Sequence, residues 1–105
     1  MYYIYILKCG DKTLYTGITN NVIKRMKAHE EGEGAKYTRG RGPFEIMGLW
    51  EVQTKSEASK VEYFIKTFSR KKKLEFISIN GHLETLVFEE KKLNIKRIAL
   101  SSIMR

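Results

Sequence analysis

Tyr5, Tyr15, Arg25, His29 and Glu62 together are residue types that can act on a phosphodiester. A phenol has an ordinary pKa of about 10, so it serves as a base only where a cation or metal stabilises its phenolate; un-ionised, it can still orient water or a phosphate. Tyr3 and Tyr5 stand two residues apart, which on a strand puts both on one face, and Tyr15 on a paired strand would complete the cluster. Arg25 and His29 are spaced i, i+4, so on a helix they project together. The guanidinium is permanently charged and suits non-bridging phosphate oxygens as phosphorus becomes five-coordinate. An imidazole can activate water, protonate a leaving oxygen or hydrogen-bond a phosphate. Glu62 falls beside an apolar helical stripe and needs a partner there. That partner is either a hard ion such as Mg²⁺ or Mn²⁺, which keeps several waters and a substrate phosphate, or Lys66 at i+4. Glu57 is weaker, because a carboxylate in a first helical turn is already favoured by the helix N-terminus. Strand aromatics also pack cores and an Arg/His pair also decorates a solvated face, so the set gains meaning only from a fold that gathers it.

Two basic tracts could hold the polyanion. Lys36, Arg39 and Arg41 are interleaved with Tyr37 and glycines, which suits grip on a sugar-phosphate backbone together with stacking on a base. Lys66 with Arg70, Lys71, Lys72 and Lys73 forms the second, and the two act together only if the fold brings them to one side. Twenty Lys and Arg against twelve Asp and Glu give a net charge of +8, which favours a nucleic-acid partner through phosphate contact and steering. No base-reading module is evident, so recognition of DNA shape or junctions is expected, with RNA left open.

The elements that must position these groups follow from period and breaks. Residues 2 to 8 are aromatic and β-branched, Gly10-Asp11-Lys12 interrupts them, and 13 to 18 resumes the strand pattern, a hairpin signature. Thr19 or Asn20 is the expected cap of a helix over 21 to 31, which Gly32 and Gly34 end. Residues 34 to 43 read as a glycine-rich loop, and 44 to 52 as a third strand of imperfect period. Ser56 is expected to cap a helix running to Ser69, with Ala58, Val61, Ile65 and Phe68 on the face that covers the sheet. A short helix from Arg70 through Ile77 follows, then a break at Asn80-Gly81, a strand at 85 to 88, and a helix or frayed tail. The expected class is α/β of the α+β type, a three-stranded antiparallel sheet flanked by helices, with residues 1 to 80 as the working domain and 81 to 105 as a C-terminal extension.

At 105 residues and 42% hydrophobic composition there is room for one modest core. A single cysteine, Cys9, excludes an intrachain disulfide and reads as a buried reduced thiol; with only two histidines beside it, a structural zinc site is disfavoured. No run approaches the roughly eighteen apolar residues of a membrane span, so a cytoplasmic, monomeric protein with no membrane partner is expected.

Tyr3-Ile4-Tyr5-Ile6-Leu7, Leu14-Tyr15-Thr16-Gly17-Ile18-Thr19, Asn21, Arg25, His29 and the segment Ala58 to Glu62 together resemble the GIY-YIG endonuclease superfamily. Lys36-Tyr37-Thr38-Arg39 brings the resemblance closer to its small, single-domain bacterial branch, related to the nuclease domain of the excision-repair endonuclease. The resemblance spans residues 2 to 79; Tyr3 replaces the first glycine of the name motif and Thr16 its second isoleucine. It implies a metal-dependent endonuclease that cuts DNA, in repair or recombination, with one divalent ion on Glu62. It further implies that Tyr5 and Tyr15 divide the roles of general base and positioning donor, that Arg25 stabilises the transition state and that His29 lies close to the reacting phosphate. Gly17 would allow close approach at the site. A separate protein partner for targeting fits the small size. The alternative is a non-catalytic nucleic-acid-binding module on the same scaffold.

Overall fold

The computed structural model describes residues 1–103; residues 104 and 105, the end of the expected extension, lie outside the described residues. Strand β1 (Tyr2–Lys8) is the spine of the molecule. It pairs antiparallel with β2 (Leu14–Thr19) on one side and β3 (Glu45–Val52) on the other. A two-residue strand β4 (Lys96–Arg97) adds to β3, so the sheet runs β2-β1-β3-β4 and the expected three strands gain a short fourth. Residues 4 to 7 of β1 are all fully buried because helices cover both faces of the sheet, which is why the segment reads as continuously apolar.

Alternation along β1 divides the molecule. Ile4 and Ile6 face one side, where Trp50 and Val52 of β3 meet Ala58, Val61, Phe64 and Ile65 of α2 (Lys55–Lys66). Phe76 of α3 (Arg70–Ser78) and Leu83 and Val87 of α4 (His82–Lys91) complete that core. Tyr5 and Leu7 face the other side, with Ile46 and Leu49 of β3 and with Val22 and Met26 of α1 (Val22–Glu30). Ile46 and Leu49 share a face although three residues apart, because the β1/β3 register slips at Met47, where Ile6 opposes Gly48 but Leu7 opposes Ile46. This bulge accounts for the imperfect period of 44 to 52.

Three local expectations are corrected. The cap of α1 is Asn21, whose side chain accepts from Lys24 N–H at 3.1 Å, while the Thr19 hydroxyl accepts from Asn21 N–H instead of capping the helix itself. The cap of α2 is Thr54, not Ser56, in a reciprocal box with Glu57, and α2 stops at Lys66 because Ser69 caps α3. Residues 85 to 88 lie within α4 and are not a strand: Leu83 and Val87, four apart, bury together against the sheet, and this packing overrides the β-leaning Leu86-Val87-Phe88 run. The C-terminal segment spans both cores: Leu93 and Ile95 pack on the α2–α4 side, Ile98, Leu100 and Ile103 on the α1 side, and between them Arg97 is set over the Trp50 ring at 4.9 Å and donates to the carbonyls of Phe76 and Ile77.

Candidate active site

The α1 face of the sheet is where polar groups enter the interior. The β1/β2 register sets Tyr5 opposite Gly17 and Leu7 opposite Tyr15, so both phenols rise over the same region. Their ring centroids are 6.2 Å apart, and His29 from α1 stands edge-on to each at 5.7 Å. Tyr5 Oη lies 2.9 Å from His29 Nε2, and Arg25 Nε–H, one helical turn before His29, donates to the same oxygen at 3.4 Å. Two glycines make the packing feasible. A β-carbon on Gly17 would fall 2.4 Å from Tyr5 Oη, and one on Gly34 would fall 2.3 Å from His29 Nδ1.

Burial sets the protonation states. Tyr5 is fully buried, and loss of hydration pushes its pKa up to about 12 against the opposing hydrogen bond from Arg25, so it is a neutral donor near pH 7. His29 is 1% exposed and is held down at about 4, chiefly by desolvation and then by the Arg25 charge. A neutral imidazole is not a cationic acid near pH 7, so of the three roles open to His29 the protonation of a leaving oxygen is the one its surroundings oppose. The structure places it behind Tyr5. Arg25 has a raised pKa, first from its hydrogen bond with Tyr5, and this keeps it charged.

Tyr15 is half-buried and faces outward. It lines an open cleft of about 370 Å³ with Leu14, Thr16, Tyr37, Lys66 and Lys73. Tyr37 stacks on it at 5.8 Å with an interplanar angle of 21°, Lys66 Nζ lies over its ring at 5.9 Å, and the Arg41 guanidinium lies over the Tyr37 ring at 4.6 Å. The two basic tracts therefore meet at Tyr15: Tyr37 comes from the loop, Lys66 from the end of α2 and Lys73 from α3. Arg41 also forms an ion pair with Asp11 and donates to the Tyr37 carbonyl, which ties the loop to the hairpin. Arg70 donates to the Lys12 carbonyl and Lys72 pairs with Glu75, so these two are structurally engaged, whereas Lys36, Arg39 and Lys71 are exposed.

Glu62 projects from α2 toward the same cluster, and its charge is among those that raise the pKa of Tyr5. Its side chain is 23% exposed and pairs loosely with Lys66 at 3.4 Å, so both partners weighed for it from sequence remain compatible with its position. Among the described residues no three of His, Cys, Asp and Glu converge as a ligand cage. A single accessible carboxylate suits a hard ion that keeps most of its water and takes remaining ligands from a substrate phosphate, so Glu62 fits that mode of binding. Glu57 is spent on the α2 cap, accepting from Gln53 and Thr54 N–H.

Thr38 is the member that sequence reasoning missed. It is buried beneath the basic loop and bonds both His29 Nδ1 and the Ala35 carbonyl. The sequence marked Thr38 only as part of the Lys36-Tyr37-Thr38-Arg39 segment, between the outward-facing Tyr37 and Arg39, and gave it no role of its own.

Comparison with known proteins matches residues 1–75 to the model of the GIY-YIG catalytic domain. The UPF0213 protein CPE1444 of Clostridium perfringens is 50% identical over 95 residues, covering 90% of this chain and all of that one. The UPF0213 protein BH0048 of Halalkalibacterium halodurans is 49% identical over 80 residues, covering 76% of this chain and 85% of that one. The solution NMR structure of BH0048 superposes with a TM-score of 0.50 at 48% identity over 78% of this chain and 88% of that chain. The solution NMR structure of the E. faecalis protein EF2693 gives 0.52 at 36% identity over 71% and 80%. No helix among the described residues is long and apolar enough to cross a membrane.

Proposed function

This chain belongs to the GIY-YIG family, among the UPF0213 proteins, and from that premise we propose that it is a divalent-metal-dependent endonuclease that hydrolyses phosphodiester bonds in DNA. The observation that carries the reading is the convergence of Tyr5, Tyr15, Arg25 and His29 within one cluster beside Glu62, at the mouth of a cleft that two basic tracts share. In this reading Glu62 holds Mg²⁺ or Mn²⁺, and the ion, when bound, supplies charge compensation at the phosphate. Tyr15, open to the cleft, orients the attacking water. Tyr5, buried and hydrogen-bonded, keeps its proton and positions Arg25, whose guanidinium offsets negative charge on the non-bridging oxygens. Lys36, Arg39 and Lys73 hold the backbone on either side, and Tyr37 stacks against a base. The same proposal takes residues 1–80 as the catalytic unit and 81–105 as its extension. It also includes kinship with the branch related to the excision-repair endonuclease, a substrate arising in repair or recombination, and a cytoplasmic setting.

Labelled single-stranded, duplex, flap and junction DNAs, incubated with Mg²⁺ or Mn²⁺ and either wild type or Glu62→Ala, test the reading. Metal-stimulated cutting that the folded variant loses supports it. Absence of cutting on every substrate by a folded wild type overturns it.

A second reading is a nucleic-acid-binding module without catalysis. It is favoured by the pairing of Glu62 with Lys66 and by the lack, among the described residues, of any group of three His, Cys, Asp or Glu side chains that could cage an ion. Binding that weakens with salt, without cleavage and indifferent to Glu62→Ala, is its signature.

A further inference from the structure

The direction of each hydrogen bond in the buried cluster follows from its two ends, a guanidinium that only donates and a carbonyl that only accepts. Thr38 Oγ1 lies 2.8 Å from the Ala35 carbonyl oxygen and 2.9 Å from His29 Nδ1. A carbonyl only accepts, so the one hydroxyl hydrogen of Thr38 is committed to Ala35, and toward His29 the hydroxyl offers a lone pair. Nδ1 must then carry the ring hydrogen. In a neutral imidazole this leaves Nε2 as the acceptor, and Tyr5 Oη at 2.9 Å donates to it. With its hydrogen so placed, Tyr5 Oη turns a lone pair to the Nε–H of Arg25. All four bonds run in one sense, from Arg25 through Tyr5, His29 and Thr38 to the backbone of the basic loop. The opposite tautomer would aim both His29 Nε2–H and Arg25 Nε–H at Tyr5 Oη and leave the buried phenol hydrogen without an acceptor, at a cost of about 1–3 kcal/mol, while the Ala35 carbonyl would keep the Thr38 N–H at 3.0 Å.

We propose that Thr38 is a positioning residue: its hydroxyl selects the Nδ1–H tautomer of His29 and, through His29 and Tyr5, fixes the guanidinium of Arg25 for a phosphate in the cleft. Thr38 sits in the short turn Lys36–Thr38, between Tyr37 and Arg39, which face outward. The same turn therefore holds the stacking and cationic groups on its outside and the end of the hydrogen-bond chain on its inside. A strand that seats on Tyr37 and Arg39 bears on the segment that orients Arg25. The tautomer assignment stands on the hydrogen bonds alone, and its consequence for a phosphate rests on the nuclease reading.

Long-range ¹H–¹⁵N spectra of the histidine rings in the full chain, with His82 assigned by its Gln variant, read the tautomer directly. Wild type and Thr38→Ser are expected to show His29 protonated at Nδ1, and Thr38→Val to lose that pattern and to shift the Arg25 Nε–H signal. A wild-type ring protonated at Nε2, or a folded Thr38→Val with the wild-type pattern, overturns the proposal. The wild-type and Thr38→Ser spectra decide the tautomer whether or not Thr38→Val folds. In cleavage, Thr38→Val is expected to lower kcat roughly 10- to 100-fold with little change in KM, and Ser to restore it; an unchanged kcat overturns the positioning role. A wild type that cuts nothing sinks the nuclease reading, while the ring spectra still decide the tautomer.

Discussion

The two faces of the sheet use the same strand for different ends. On the α2–α4 side, Ile4 and Ile6 meet Trp50, Val61, Ile65, Phe76, Leu83 and Val87, and the packing is almost wholly apolar. On the α1 side, Tyr5 meets His29, and the interior is threaded by a hydrogen-bond chain that ends at Thr38 and Ala35. Residues one position apart on β1 thus serve a non-directional core and a directional polar network. The apolar face resists change in volume, whereas the polar face resists change in hydrogen-bond geometry and protonation.

The most severe way to break this contrast is Phe76→Ala. Phe76 is fully buried and edge-on to Phe68 at 5.3 Å, so truncation is expected to cost about 3–5 kcal/mol in urea unfolding while leaving the His29 ring tautomer as in wild type. A loss comparable to that of a surface variant would deny that this face carries the stability.

Acid addresses the other face. The folded pKa of His29 lies near 4, below its ordinary 6.5, so between these values the unfolded chain binds the extra proton. The contribution of His29 is thus complete above about pH 6.5 and is lost as pH falls toward 4, up to about 3 kcal/mol in all. Unfolding free energies measured across that window for wild type and His29→Gln should differ in slope, with the variant the flatter. Parallel profiles would mean that His29 titrates as it does in the unfolded chain.

Gly17→Ala sharpens the comparison at one contact. The added methyl would meet Tyr5 Oη, so a cost of about 1–3 kcal/mol is expected, together with a changed Tyr5–His29 hydrogen bond seen in the ring spectra. Gly32→Ala is no match for it sterically, because nothing lies within 4 Å there, although its φ of +77° carries backbone strain of its own. Smallest in stability is Lys73→Ala, expected within about 0.5 kcal/mol of wild type. Its effect should appear in DNA binding instead, as a salt slope reduced by about one.

Much of the α1 face was legible in the sequence because its logic is local. Period two places Tyr3 and Tyr5 together, the i, i+4 spacing joins Arg25 to His29, and the Gly10-Asp11-Lys12 break pairs the strands that carry the tyrosines. What escaped depends on contacts between distant segments. Thr38 gains its role from a histidine nine residues earlier and a carbonyl three residues back, and neither spacing marks it. The bulge at Met47 hid the phase of β3. Residues 85 to 88 carry strand-like types, yet only the surface made by Trp50 and Phe76 decides that Leu83 and Val87 belong on one helical face. The cap of α2 was misplaced by two residues because Thr54 and Ser56 are equally good acceptors, and Glu57 at the third helical position, which closes the box, selects Thr54.

The central claim is that the polar face performs metal-dependent phosphodiester hydrolysis through a tyrosine that reaches the cleft. Single-turnover cleavage of a labelled flap or junction DNA in Mg²⁺, by wild type beside Tyr15→Phe, tests it most directly. The account predicts metal-dependent cutting by the wild type and a roughly 100-fold slower rate for Tyr15→Phe at an unchanged melting temperature, the scale of a misplaced nucleophile. Cutting by Tyr15→Phe at the wild-type rate, or none by a folded wild type, would contradict it.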